Sequence, residues 1–334
     1  MLKQYYLFVL LLLLLSCNNN QTHRESKISQ PEYLTSWNDG IAKSNIITYV
    51  EDITNPKSEH FISVKDRIAV FDNDGTIWSE RPIYFQFYFV IDRLKEMAPQ
   101  HPEWHVNQPF KSILEDEPNA LLKSGHEGIA KVLDATMGGT TEREFQQIVS
   151  DWVKTAKHPE SGKLYTYYVY KPMLELLDYL RDNNFKIYIV SGGSLEFMRP
   201  IICEIYNIPE EQILGTTYKT VYDYNDGEPL LKRLNEMSFY NDKGNKVVNI
   251  QNIIGKKPVF CGGNSDGDLA MMQWTSSNKL KSFMLYVHHT DSIREWAYDR
   301  ESPIGKLDKG LDQAIELGWT VVDMKNDWRT IFEN

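Results

Sequence analysis

The sequence predicts an α/β protein: a doubly wound, Rossmann-like, mostly parallel sheet carrying an inserted α-helical domain. Short apolar runs at 67–71, 185–190 and 259–261 each end in a polar or glycine-rich turn. These turns read Asp72-Asn73-Asp74-Gly75-Thr76, Ser191-Gly192-Gly193-Ser194 and Gly262-Gly263-Asn264-Ser265-Asp266-Gly267-Asp268. Strands buried on both faces read as such runs, and ligands of open α/β sheets bind just beyond their carboxyl ends. More than a hundred residues with helical periodicity separate the first two runs.

Taken in chain order, the first residues form a processing signal: Lys3 gives a positive start and 5–15 is continuously apolar, closing on Leu14-Leu15-Ser16-Cys17. Eleven apolar residues fall short of the roughly 20 a membrane-spanning helix needs, yet suit a secretory signal core. The Leu-Leu-Ser-Cys end resembles a bacterial lipobox, which implies removal of 1–16 and a lipid on Cys17. Residues 17–30 are polar and aperiodic, the composition of a flexible tether.

The core is then expected over 31–80 and 171–334, with the helical insertion at 81–170. In the insertion, Phe145, Ile148, Val149, Trp152 and Val153 repeat at helical spacing behind a Thr141/Glu144 capping box. Tyr84, Phe85, Phe87, Tyr88 and Phe89 crowd one segment and read as packing. Pro172 opens a core helix carrying Met173, Leu176, Leu177 and Leu180. Asn225-Asp226-Gly227 is the turn of a β-hairpin between 216–224 and 229–234. Further strands are expected at 283–287 and 320–322.

Composition narrows the partners. A formal net charge of -10 opposes nucleic-acid binding, which rests on clustered Lys and Arg. Cys203 and Cys261 lie in apolar runs and read as inert core thiols outside any zinc cluster, and Pro102 weakens the helix that the i, i+4 pair His101 and His105 would need to bind zinc.

Two aspartates one residue apart at the end of a buried strand repel each other unless a cation accompanies them. A calcium loop is excluded, because Ile77 stands where that loop requires glycine. The three turns together, in this order and context, can surround one phosphate. They resemble the motifs of the haloacid dehalogenase superfamily, and within it the phosphoserine-phosphatase-like enzymes with a helical cap after the first motif.

That resemblance implies a magnesium-dependent hydrolase of a small phosphomonoester. Asp72 would be the nucleophile, Asp74 the general acid and base, and Ser191 and Lys246 the phosphoryl ligands, with Lys243 as the alternative lysine. Thr76, Gly192 and Gly193 would line the substrate, and Glu80 resembles the acid set near a substrate amine. Magnesium would be held by Asp72, the main-chain carbonyl of Asp74, and Asn264, with Asp268 ordering a water or the lysine. Asn264 departs from the pattern, which has Asp at this position, and Asp266 is a candidate to compensate. The lipobox implies an exported, membrane-tethered enzyme, periplasmic or cell-surface. The rival expectations are a non-catalytic phosphate-binding lipoprotein, motivated by Asn264, and a phosphotransferase or phosphomutase.

Overall fold

The computed structural model describes residues 33–117, 119–225 and 227–333. The signal, Cys17 and the tether fall outside the described residues. Seven strands form one sheet in the order β4-β3-β2-β1-β5-β6-β7: β1 Ile68–Phe71, β2 Lys186–Ser194, β3 Ile213–Asn225, β4 Glu228–Phe239, β5 Phe260–Gly263, β6 Phe283–His288 and β7 Thr320–Asp323. All neighbours run parallel except β3 and β4. The fold class is therefore the one expected, a mostly parallel α/β sheet with an antiparallel edge.

β1 sits at the centre and illustrates why the sheet forms. Its side chains alternate between two buried faces, as the two-residue period of a strand requires. Ala69 and Phe71 join one core with Phe260, Leu285 and the aromatic helices, while Ile68 and Val70 join the other with Cys261, Met271 and Met272. α9 (Gly244–Ile253) and α10 (Leu269–Ser276) supply Ile250, Met271 and Met272 to the second core. α1 (Ile41–Thr54), α7 (Lys171–Asp182) and α8 (Leu195–Tyr206) cover the first. α11 (Lys309–Leu317) and α12 (Met324–Asp327) flank β7.

Between β1 and α7 the described residues form helices and isolated bridges with no strand. The α-helices are α2 (Phe85–Met97), α3 (Phe110–Leu114), α4 (Ala120–Lys123), α5 (Gly125–Met137) and α6 (Glu142–Val153). The Thr141/Glu144 capping box is formed: the Thr141 hydroxyl accepts from the Glu144 amide, and the Glu144 carboxylate accepts from the Thr141 amide. The aromatic segment divides by face. Phe85 and Phe89, one helical turn apart, are core, whereas Tyr84 and Phe87 face a cavity. No helix of the described residues is long and apolar enough to cross a membrane.

Two details depart from the sequence reading. The Ser191-Gly192-Gly193 segment, expected as a turn, continues β2 as an irregular extension, with a register shift between Val190 and Ser194 against β3. Side chains hold it in place of ladder bonds: Asn241 donates to the Ser191 carbonyl (2.9 Å) and the Thr216 hydroxyl to that of Gly192 (2.7 Å). The hairpin is also longer than expected and reaches the helical segment. There Arg233 is buried, donates from Nε to the Met137 carbonyl (3.0 Å), and lies over the rings of Phe145 (4.3 Å) and Tyr218 (5.3 Å).

Arg233 thus fastens hairpin to helices through one buried cation. Replacing it in Arg233→Met is expected to lower unfolding stability by about 2 kcal/mol, the scale of either the charged hydrogen bond or the desolvated cation–π contact that is lost. A urea midpoint unchanged from the wild type would contradict this role.

Candidate active site

Three strand ends converge here because β2 and β5 pair with β1 on its two sides. β1 delivers Asp72, whose amide donates to the Gly262 carbonyl (3.0 Å) and so continues the sheet for one more residue. Asp74 follows in a tight turn in which the Asn73 carbonyl accepts from the amides of Thr76 (3.1 Å) and Ile77 (2.8 Å). β2 delivers Ser191, β5 delivers Asn264 and Asp268, and the first turn of α9 delivers Lys246.

Lys246 bridges two carboxylates, its Nζ lying 2.7 Å from Asp72 Oδ1 and 2.7 Å from Asp268 Oδ1. All three side chains are buried. The other oxygen of Asp268 accepts from the amides of Asn264 (3.0 Å) and Ser265 (3.1 Å), so Asp268 fixes both the lysine and the turn. Asp74 is held from two sides: Trp78 Nε1 donates to Oδ1 (2.7 Å) and the Ser191 hydroxyl to Oδ2 (3.4 Å). Ser191 Oγ accepts in turn from the Gly193 amide (3.1 Å). The Thr76 hydroxyl donates to Asn264 Oδ1 (3.2 Å).

Burial shapes the charges. It pushes the Asp72 carboxyl up to about 8, Asp268 adding to the rise and Lys246 opposing it. Asp74 is raised by burial, against the Trp78 bond. Burial pulls the Lys246 ammonium down, but Asp268 and Asp72 more than offset it, so its net shift is upward and it stays charged. Glu80 and Tyr84 are both raised by burial, and the charges of Asp74 and Asp72 add to each. The site therefore concentrates more acid than its one buried lysine neutralises, the condition under which a bound cation stabilises most.

Among the described residues no three His, Cys, Asp or Glu side chains converge as a metal cage. A hard cation would need a mixed oxygen set, which magnesium accepts because it keeps several waters. Asp72 fits, since its Oδ2 is free of the lysine. Asn264 fits as a neutral oxygen donor, and Gly75, at φ +74°, leaves the space beside it: a Cβ there would lie 2.0 Å from Asn264 Nδ2 and 2.5 Å from Glu80 Oε1. Both oxygens of Asp268 are taken by Lys246 and main-chain amides, which makes it an orienting group.

Some expectations are redirected. Asp266 does not compensate for Asn264; its carboxylate accepts from the amides of Asp308 (3.0 Å) and Gly310 (2.8 Å) and secures the start of α11. Lys243 precedes α9 at φ 52° and does not line the cavity. Glu80 is only 2% exposed, and its carboxylate accepts from Asn264 and from Tyr298.

Beside this cluster opens a cavity of about 370 Å³, lined by Asp72, Asp74, Glu80, Lys246, Gly192 and Gly193 at one end. Its other walls come from α2 and α5 (Phe87, His126, Ile129, Leu133) and from the hairpin (Tyr218, Met237) with Tyr240 beyond it. The hairpin wall was not read from the sequence. Nor was the layer below the turn, where His289 bridges the Gly75 carbonyl (2.7 Å) and Glu295 (3.2 Å), and Glu295 accepts from Ser79 and Tyr170 (both 2.8 Å). The signal for it in the sequence is the pair His288-His289 at the end of an apolar run.

The chain matches the family described as haloacid dehalogenase-like hydrolase over residues 69–273. No curated protein matches. The fold is similar to that of a conserved functionally unknown protein from Anaerococcus prevotii, with 16% identity, TM-score 0.50, and coverage of 84% of this chain and 91% of that one. A protein with unknown function from Bordetella pertussis is 12% identical at TM-score 0.46, covering 77% and 98% of the two chains. A phosphoserine phosphohydrolase-like protein from Francisella tularensis is 18% identical at TM-score 0.39, covering 78% and 95%. With the matched span embracing Ala69–Phe71 of β1, all of β2 and β5, and every residue of the buried cluster except the loop that carries His289 and Tyr298, the chain belongs to the haloacid dehalogenase-like hydrolase family.

Proposed function

We propose that this protein hydrolyses a phosphomonoester with an apolar or aromatic body, in a magnesium-dependent reaction through an aspartyl-phosphate on Asp72. The observation that carries the reading is the Lys246 bridge to Asp72 and Asp268, beside a cavity that Asp72, Lys246 and Asp74 line. Lys246 holds the Asp72 carboxylate in one orientation and offers positive charge to an incoming phosphoryl group. The Asp72 carboxylate attacks phosphorus, and the ester oxygen leaves with the proton that Asp74 supplies. Asp74 then accepts a proton from the water that attacks the phosphorus of the acyl phosphate, which returns free Asp72 and inorganic phosphate. Its raised pKa suits both tasks.

Ser191 and the Gly192 amide supply further phosphoryl contacts. A magnesium ion held by Asp72, the Asp74 carbonyl and Asn264 would act as Lewis acid and template, a contribution on the order of several kcal/mol. The helices between β1 and α7 serve as a cap that, with the hairpin, excludes water from the reacting group. The N-terminal signal supports export and tethering through Cys17.

The cavity sets the substrate class. Among the described residues that line it, Lys246 is the one Lys or Arg, and Lys246 is already committed to two carboxylates. No further Lys or Arg is left there to form a fork or point-charge pair with the carboxylate of phosphoserine. Tyr84, Phe87, Ile129, Leu133, Tyr218 and Met237 instead offer an apolar wall.

Assays on a phosphomonoester panel test this directly. Aryl and long-alkyl phosphates should be turned over with kcat/KM at least about tenfold above phosphoserine, a discrimination within the range of apolar pocket contacts; preference for phosphoserine would contradict the proposed substrate class. Chelation should abolish turnover. Asp72→Asn should remove activity while the protein remains folded, and activity surviving that change would remove the nucleophile from the scheme. Asp74→Asn should depress hydrolysis of alkyl esters, whose leaving group needs a proton, far more than that of nitrophenyl esters. An equal loss on both would contradict its role as acid.

A further inference from the structure

We infer that Glu80 is a positioning residue for the cation: it orients the Asn264 amide and supplies, one residue removed, the negative charge that Asn264 itself lacks. The inference rests on the metal-assisted reading of the site given above. Asn264 Nδ2 donates to Glu80 Oε1 at 2.7 Å, and Thr76 donates to Asn264 Oδ1 at 3.2 Å. The Glu80 bond sets which end of the amide is nitrogen, because an ionised carboxylate can only accept from it, and leaves the oxygen end to the Thr76 hydroxyl. The oxygen end is thus presented away from Glu80, and a carboxylate on the nitrogen end polarises the amide toward a more negative oxygen.

The surroundings are shaped for this pair. Asn264 is 1% exposed and Glu80 2%. Tyr298 donates to the same Glu80 oxygen at 2.8 Å. Both Asn264 and Tyr298 bond Oε1, so Oε2 receives no donor from the described residues. Two glycines at positive φ make the room. A Cβ on Gly75 would lie 2.0 Å from Asn264 and 2.5 Å from Glu80, and a Cβ on Gly305 would lie 1.8 Å from Glu80. Two chain segments far apart in sequence therefore forgo side chains at the point where this carboxylate meets the amide.

A buried carboxylate sited here is costly unless positive charge lies nearby. Lys246 does not serve it, being bonded to Asp72 and Asp268. An ion at the Asp72–Asn264 edge would. Orienting partners of metal ligands typically govern metal affinity by 10- to 100-fold.

Isothermal titration of the protein with Mg²⁺, in the absence of substrate, tests the inference. Glu80→Gln keeps an acceptor for Asn264 but removes the charge, and is expected to weaken Mg²⁺ binding at least about tenfold. Asn264→Asp places the charge on the ligand itself, so Glu80→Gln/Asn264→Asp should recover Mg²⁺ binding to within a few-fold of wild type. Asn264→Asp alone sets two carboxylates face to face; its melting temperature in chelator should fall, and Mg²⁺ should raise it by more than it raises the wild type. That measurement still decides the matter if Glu80→Gln fails to fold. Unchanged Mg²⁺ affinity in Glu80→Gln, no recovery in the double variant, or an Asn264→Asp melting temperature indifferent to Mg²⁺ would each overturn it. Because no turnover is read, Glu80-dependent binding by a protein that hydrolyses nothing would uphold this inference while refuting the proposed activity, and Mg²⁺-dependent hydrolysis with Glu80-independent binding would do the reverse.

Discussion

The buried contact between Lys246 and the pair Asp72 and Asp268 organises the carboxyl edge of the sheet. Leaving one charge of such a group without its partner typically costs about 3–5 kcal/mol, so the three side chains form one unit that the fold must assemble whole. With β1 between β2 and β5, the residue after β1, the turn after β5 and the first turn of α9 come within bonding distance. Even with the lysine in place, Asp74 and Glu80 leave the site rich in acid. A structure made only for stability would fill such a place with apolar side chains.

Around this fixed edge the protein builds a cavity from elements that are distant in sequence. α2 and α5 contribute one wall and the β3–β4 hairpin the other, and Arg233 ties hairpin to helices. The groups proposed to react stand on strand ends and a helix start, while the wall that would meet the body of a substrate stands on the antiparallel edge and the helices between β1 and α7. Chemistry and selectivity therefore sit on different parts of the chain, and the second can change without disturbing the first.

The legibility of these parts differed for physical reasons. The strands carrying Asp72, Ser191 and Asn264 were visible because strands buried on two faces leave uninterrupted apolar runs ending in turn residues. The Thr141 capping box was visible because it is local, three residues from donor to acceptor. Lys246 could be singled out from Lys243 by the helical pattern of Val247, Ile250 and Ile254 that follows it. The β2 extension through Ser191 to Gly193 was read as a turn, since its partners, Asn241 and Thr216, are side chains distant in sequence. The bond from Asn264 to Glu80 spans 184 positions and that from Tyr298 to Glu80 spans 218. No periodicity records such contacts, so Glu80 could be noticed as a candidate but its neighbours could not be named.

The central claim is that Asp72, held by Lys246, becomes covalently phosphorylated. Quenching the protein in acid during turnover of an aryl phosphate, reducing with borohydride and mapping the peptides by mass spectrometry tests it most directly. The account predicts homoserine at position 72, the reduction product of an aspartyl-phosphate, with Asp74 unmodified. Reduction at Asp74 or another acid, or steady turnover in which phosphate is released with no residue ever modified, would contradict it.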